Sequence, residues 1–216
     1  MPQVWPSRHR AHSGGSAAGY QSKPVEGSAV SVQRLILTGA PGSGKTSVLM
    51  ALRSRGYDVI QEAATAVICR EQAQGDDEPW AQATFIDEIV AMQRQLESVP
   101  RRSGLAFYDR SPICTLALST YLGYPVSAAL SAEIGRIRRE RSYDRRVFFV
   151  REIGFCEPTA ARRITFEDSL KFERLHEETY RALGYELVDV PRGDVADRAD
   201  RIETHVASWR SSRADS

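Results

Sequence analysis

Leu35-Ile36-Leu37-Thr38-Gly39-Ala40-Pro41-Gly42-Ser43-Gly44-Lys45-Thr46 is a short apolar run that breaks at closely spaced glycines and ends on a lysine and a hydroxyl residue. Residues 39–46 satisfy G-x-x-x-x-G-K-[ST] in full, the pattern of a phosphate-binding loop between a strand and a helix. Glycines let successive N–H groups curl around an anion without a side chain in the way. The helix that follows turns its positive N-terminal end toward the same anion. Lys45 is expected to reach the β and γ oxygens, meeting only ligand and solvent. The Thr46 hydroxyl is expected to ligate Mg²⁺. Gly39, Ala40, Pro41, Gly42, Ser43, Gly44, Lys45, Thr46 and the adjacent Ser47 are thus the candidate nucleotide contacts. At average residue frequencies the pattern arises by chance roughly once per hundred chains of this length.

Outward from the loop, strand-like and helix-like segments alternate, which is the signature of a parallel α/β sheet. A helix is expected over 45–55, stopped by Gly56, and a second strand at Tyr57-Asp58-Val59-Ile60. Helices follow at about 63–73 and 81–98. Leu105-Ala106-Phe107-Tyr108 reads as strand three, ending at Asp109. Pro112 opens a helix to about 122, and another spans 127–141. Val147-Phe148-Phe149-Val150 is strand four, residues 152–165 are irregular, and a helix covers 167–183. Tyr185 to Val190 forms strand five and a final helix runs over 195–209. The expected architecture is a three-layer α/β fold with a five-stranded parallel sheet flanked by helices. Its domain occupies 31–210, between a disordered tail at 1–30 and a disordered end at 211–216. The tail is rich in Ser, Gly, Ala and Pro without apolar period. Its basic residues Arg8, Arg10 and Lys23 leave a transit peptide as the other reading.

Composition narrows the function. The 216 residues are 42% hydrophobic and 26% charged with a net charge of +1, so no global field draws the chain to nucleic acid or an anionic surface. No apolar run approaches the length of a membrane span. Cys69, Cys114 and Cys156 form no C-x-x-C pair and read as reduced core residues of a cytoplasmic protein. The histidines make no metal cluster. There is no asparagine, so the Asn-Lys-x-Asp element that reads guanine in the familiar GTPases is absent and ATP is the expected nucleotide.

Ligands of such sheets sit outside the carboxyl ends of the strands. Glu62 follows strand two and Asp109 follows strand three, each placed to orient a nucleophilic hydroxyl or to hold Mg²⁺ through water. A surface turn or helix cap is the plainer role for Glu62, and a cap ahead of Ser111-Pro112 the plainer role for Asp109. The order of strand, phosphate loop, Glu62, and then Asp109-Arg110-Ser111 resembles the small P-loop kinases. It is similar to the deoxynucleoside kinases, in which a Glu closes strand two and Glu-Arg-Ser closes strand three. Asp109 departs from that pattern as the shorter acid. The chain is identified as a member of the ribosylnicotinamide-kinase-like group of predicted AAA-type ATPases, over about residues 34–205.

Arg162 and Arg163 precede a helix that carries Leu175-His176-Glu177, and this looks like the arginine-bearing lid of deoxynucleoside kinases; a solvated arginine loop is the alternative. Arginines on a closing lid would neutralise a transferring phosphoryl group and expel water. His176 reads as a packing histidine. The run Arg136, Arg138, Arg139, Arg141, Arg145 and Arg146 is interleaved with acids and reads as an ion-paired helix face. Gln93 lies on an apolar stripe with Phe85, Ile89 and Leu96, where an amide either finds a protein partner or reads a ligand. Trp80, Tyr121 and Tyr124 read as ordinary packing, with the walls of an acceptor pocket as the other reading.

The resemblance implies a kinase that moves the ATP γ-phosphoryl group to a hydroxyl of a small metabolite, a nucleoside-like one among the candidates. Lys45 and Thr46 would hold phosphate and Mg²⁺, with Glu62 as base and Asp109 on the metal water or the substrate. Arg110, Arg162 and Arg163 would neutralise charge. A homodimer is allowed, and neither a membrane nor nucleic acid is expected as a partner. The alternative is a regulatory ATPase acting on a protein partner. Against it, the chain is short for an AAA+ module with its extra helical domain and lacks the usual Asp-Glu pair at a strand end.

Overall fold

The structure is a computed structural model that describes residues 32–101, 104–152 and 165–214. Strands β1 (Gln33–Thr38), β2 (Asp58–Ile60), β3 (Leu105–Asp109), β4 (Arg146–Val150) and β5 (Glu186–Val190) form one parallel sheet in the order β2-β3-β1-β4-β5. The helices are α1 (Lys45–Ser54), α2 (Ala63–Ala73), α3 (Thr84–Ser98), α4 (Pro112–Tyr121), α5 (Ala128–Glu140), α6 (Phe166–Ala182) and α7 (Val195–Ala214).

A parallel sheet is covered on both faces, so its strands are apolar on both sides. Alternate residues of one strand therefore enter different cores. Leu35 and Leu37 join Phe107, Phe148 and Val150 on one face, where α1 supplies Val48, Leu49 and Leu52 and α7 supplies Ala199, Ile202 and Val206. Ile36, Ala106, Tyr108 and Val147 face the other way, against Ile86 of α3, Ile113 of α4, Leu130 and Ile137 of α5, and Tyr180 of α6. A smaller cluster of Val67, Ile68, Phe85 and Ile89 joins α2 to α3. The three-layer α/β fold and five parallel strands are as expected.

Several boundaries differ from the sequence reading, among them the start of β5, which is Glu186 and not Tyr185. Tyr57 lies outside β2 and sets its ring edge-on to Phe107, with centroids 5.2 Å apart. Pro79–Ala81 is a 3₁₀ turn, so α3 begins later than 81. The last helix runs to Ala214, past the expected domain end at 210. Trp209 explains this extension. It stacks on Phe148 at 5.2 Å with the Arg146 guanidinium 4.0 Å above it, so the final turns have an anchor.

β1 lies between β3 and β4 at the point where strand order reverses, and crevices open at such points. Register carries the consequence further. Leu37 is paired with Asp109 and Ile60 with Tyr108, so the loop after β1, Glu62 and Asp109 all emerge at one edge of the sheet. Among the described residues no helix is long and apolar enough to cross a membrane.

Candidate functional site

The loop after β1 follows a path only glycine tolerates. Gly39, Gly42 and Gly44 have φ of 134°, 85° and 79°. A Cβ on Gly39 would lie 2.2 Å from the Val150 carbonyl oxygen at the end of β4, so the neighbouring strand requires this glycine. Lys45 does not extend into solvent as expected. It is buried, and its Nζ donates to Gly39 O at 3.1 Å, Ala40 O at 2.8 Å and the Ser43 hydroxyl at 3.2 Å. Burial, followed by the nearby Arg110 charge, lowers its pKa to about 7, with Asp109 and Glu62 pulling the other way. Thr46 and Ser47 are exposed in the first turn of α1. From below, the sequence-distant Arg198 of α7 ties this loop down. One of its terminal nitrogens donates to Ser43 O at 2.8 Å and the other to Arg151 O at 2.9 Å. Burial lowers its pKa. Nothing in the sequence distinguishes Arg198 from the other arginines of that helix.

The β2 and β3 ends meet through charge. Arg110 Nε lies 2.5 Å from Glu62 Oε1, and the Thr65 hydroxyl donates to Glu62 Oε2 at 2.8 Å. Burial alone would raise the Glu62 pKa, but Arg110 and Lys45 outweigh it and hold the carboxyl below its ordinary value. Glu62 stands at the N-cap position of α2 yet makes no side-chain cap bond. Asp109 does not cap α4 either. Ser111 does so, accepting from the Ile113 N–H at 3.2 Å. Asp109 is buried at the end of β3, where its carboxylate also lines the central cavity.

Arg110 adopts a left-handed backbone, φ 70°, which costs a side-chain-bearing residue about 1–2 kcal/mol. Its N–H donates to Leu37 O at 3.0 Å, which fixes it beside β1. One terminal nitrogen donates to His176 Nε2 at 3.1 Å. His176 was expected to be a packing residue only. It does pack edge-on against Phe172 with centroids 4.2 Å apart, but it also touches the arginine of Asp109-Arg110-Ser111.

Lys45, Glu62, Asp109 and Arg110 share a cavity of about 510 Å³. Gly42, Gly44, Lys45, Thr46, Glu62, Asp109 and Arg110 line it together with Trp80, Phe85, Ile89, Leu118, Tyr121, Leu122 and Phe172. Gln93 and Thr115 also line it, and the Thr115 hydroxyl donates to Gln93 Oε1 at 3.2 Å. Trp80 and Tyr121 line the cavity. Tyr124 acts behind the wall, its hydroxyl donating to Trp80 O at 2.9 Å. Arg162 and Arg163, and the lid they would belong to, lie outside the described residues. Within the arginine run, Arg136 pairs with Glu97, Glu133 and Glu140, and Arg146 pairs with Asp144.

Hard oxygen donors suit Mg²⁺. The Thr46 hydroxyl and the Asp109 carboxylate border the same cavity and fit a Mg²⁺ that keeps waters and phosphates as its remaining ligands. Among the described residues no group of three or more His, Cys, Asp or Glu could hold an ion alone.

Several solved structures share this fold. A NadR protein in complex with NR superposes at a TM-score of 0.52 and 18% identity, over 74% of this chain and 44% of that one. A NadR protein in complex with NAD and AMP-PNP gives 0.55 and 16%, over 80% and 48%. The chain thus spans less than half of the NadR chains. Deoxyadenosine kinase from M. mycoides, with products dCMP and a flexible dCDP bound, gives 0.53 and 14% over 82% of this chain and all of that one. No curated protein matches significantly. A family model described as AAA domain matches residues 34–198, so the chain belongs to the AAA domain family and is a P-loop NTPase of kinase-like fold.

Proposed function

We infer that the chain is an ATP-dependent phosphotransferase that moves the γ-phosphoryl group of Mg·ATP to a hydroxyl of a small, nucleoside-like metabolite. One observation carries the reading: the cavity at the phosphate loop continues into a space walled by Trp80, Phe85, Tyr121 and Phe172. An enzyme that used water as its acceptor would need no such space. Aromatic walls with a few polar groups fit a flat organic acceptor. The ligands named for the similar structures, NR, NAD with AMP-PNP, and dCMP, belong to the same chemical class.

In this reading the loop N–H groups and Lys45 hold the triphosphate, and Lys45 exchanges its loop carbonyls for phosphate oxygens. Glu62, kept anionic by Arg110 and Lys45, accepts a hydrogen bond from the acceptor hydroxyl and aligns it for in-line attack. Arg110 faces the charge that develops on the transferring group. Asp109 acts through the water shell of the metal or on the acceptor. Bound Mg²⁺ would neutralise phosphate charge beside Thr46. Arg162 and Arg163 would add charge from the segment after β4. Cys114 is buried as a core residue, whereas Cys69, also read as a core residue, is exposed on α2.

The test is an incubation with ATP labelled at its γ-phosphorus and a mixture of small hydroxyl compounds. A labelled organic product supports the reading. Label released only as free phosphate, with hydrolysis responding to a protein partner, would replace it with a regulatory ATPase.

A further inference from the structure

Arg110 is held from two sides, and only one of the holders is free to stay in place during phosphoryl transfer. Its Nε faces Glu62 and a terminal nitrogen faces His176. If Glu62 turns to an acceptor hydroxyl, that side of the guanidinium loses its partner. An arginine on a flexible stem would then follow the carboxylate or swing away from the phosphates.

His176 is built to prevent this. A carbonyl oxygen only accepts, so the 2.8 Å contact with Phe172 O requires a proton on His176 Nδ1. An arginine only donates, so the 3.1 Å contact requires a lone pair on Nε2. The ring is therefore the neutral Nδ1–H tautomer, locked by its own helix one turn back and wholly buried. Burial first, and then Arg110 and Lys45, push its pKa well below the ordinary histidine value, so the acceptor is not lost to protonation. Phe172, which fixes the ring orientation, is itself a cavity wall.

We propose that His176 is a positioning residue whose Nε2 keeps the Arg110 guanidinium aimed into the cavity while Glu62 engages the acceptor. The inference rests on the kinase reading above. A purely structural histidine would stabilise α6 without caring which phosphate species is bound. A positioning histidine matters most where Arg110 meets transferring charge, because such contacts tighten in the transition state.

The experiment compares affinities for Mg·ATP and for Mg·ADP with aluminium fluoride, a mimic of the phosphoryl group in transfer. Wild type, His176→Phe and His176→Gln are measured by calorimetry. His176→Phe keeps the ring and removes the acceptor; it should weaken the fluoride complex about tenfold more than Mg·ATP. His176→Gln returns an oxygen acceptor and should recover most of that difference. In an Arg110→Ala background His176→Phe should leave the ratio of the two affinities unaltered. Should His176→Phe fail to fold, His176→Met, which fills irregular gaps, takes its place. Equal weakening of both ligands, or no recovery with Gln, would overturn the inference and leave the kinase reading intact. A wild type that binds neither ligand would overturn both.

Discussion

Glu62 Oε1 and Arg110 Nε lie 2.5 Å apart, joining the end of β2 to the end of β3 beside the cavity that both residues line. Both groups are charged and both are turned toward the phosphate loop. Glu62→Gln should cut phosphoryl transfer by roughly 10²–10⁴-fold while Mg·ATP affinity changes little. Asp109→Asn should make turnover demand more Mg²⁺. Steady-state kinetics over a magnesium series checks both. A silent Glu62→Gln, together with an Asp109→Asn that alters only acceptor affinity, would reverse the assignment.

Lys45 supplies a pH signature. Burial and the Arg110 charge lower its folded pKa from the ordinary 10.5 to about 7, so the ligand-free lysine gives up its proton more readily than a free one. Bound phosphates favour the charged form and should draw a proton from buffer. At pH 8, Mg·ATP binding should take up protons, measured by calorimetry in buffers of different ionisation enthalpy. Lys45→Ala should bind weakly and without this uptake. For the free protein the sign is the usual one for a depressed lysine. The unfolded chain binds more protons between pH 7 and 10.5, so this group's contribution to stability increases with pH across that window. A wild type that binds with no proton uptake would contradict the burial of Lys45 in the loop.

Gly39 and Gly56 separate two costs of adding a methyl group. Gly56 has φ of 95° and open space around it, so Gly56→Ala should cost only the backbone strain, about 1–2 kcal/mol. Gly39→Ala adds a collision with the Val150 carbonyl and should cost more, with loss of Mg·ATP binding as the loop moves. Denaturant unfolding of the two variants gives the comparison. Equal losses would mean that the loop and β4 can separate at no cost.

The parts legible in the sequence are those set by local pattern. The 39–46 motif, the apolar runs around it and the glycines that stop helices require no knowledge of distant partners, and Glu62, Asp109 and Arg110 could be placed because strand ends collect at one edge. The parts that were not legible depend on residues far apart in the chain. His176 meets Arg110 across 66 positions and Arg198 meets Ser43 across 155, and no local pattern names either partner. Lys45 turned inward because two carbonyls and a hydroxyl of its own loop accept from its Nζ. Ser111 displaced Asp109 as the cap of α4 because the helix begins at Pro112, two residues further on than a cap at Asp109 would need.

Arg162 and Arg163 carry the prediction that rests on sequence alone. Arg162→Ala and Arg163→Ala should each lower turnover more than Mg·ATP affinity, since a lid meets the phosphates most tightly in the transition state. Equal losses in both would make them ordinary binding residues.

The central claim is that the cavity holds an organic acceptor, and ADP formation with and without that acceptor tests it most directly. A kinase must keep water from the γ-phosphate until its acceptor arrives. The protein alone should therefore turn over ATP slowly. One compound from a metabolite mixture should raise ADP formation by orders of magnitude, with phosphorylated product matching ADP mole for mole. ADP matched by free phosphate, with no compound phosphorylated, would contradict the account.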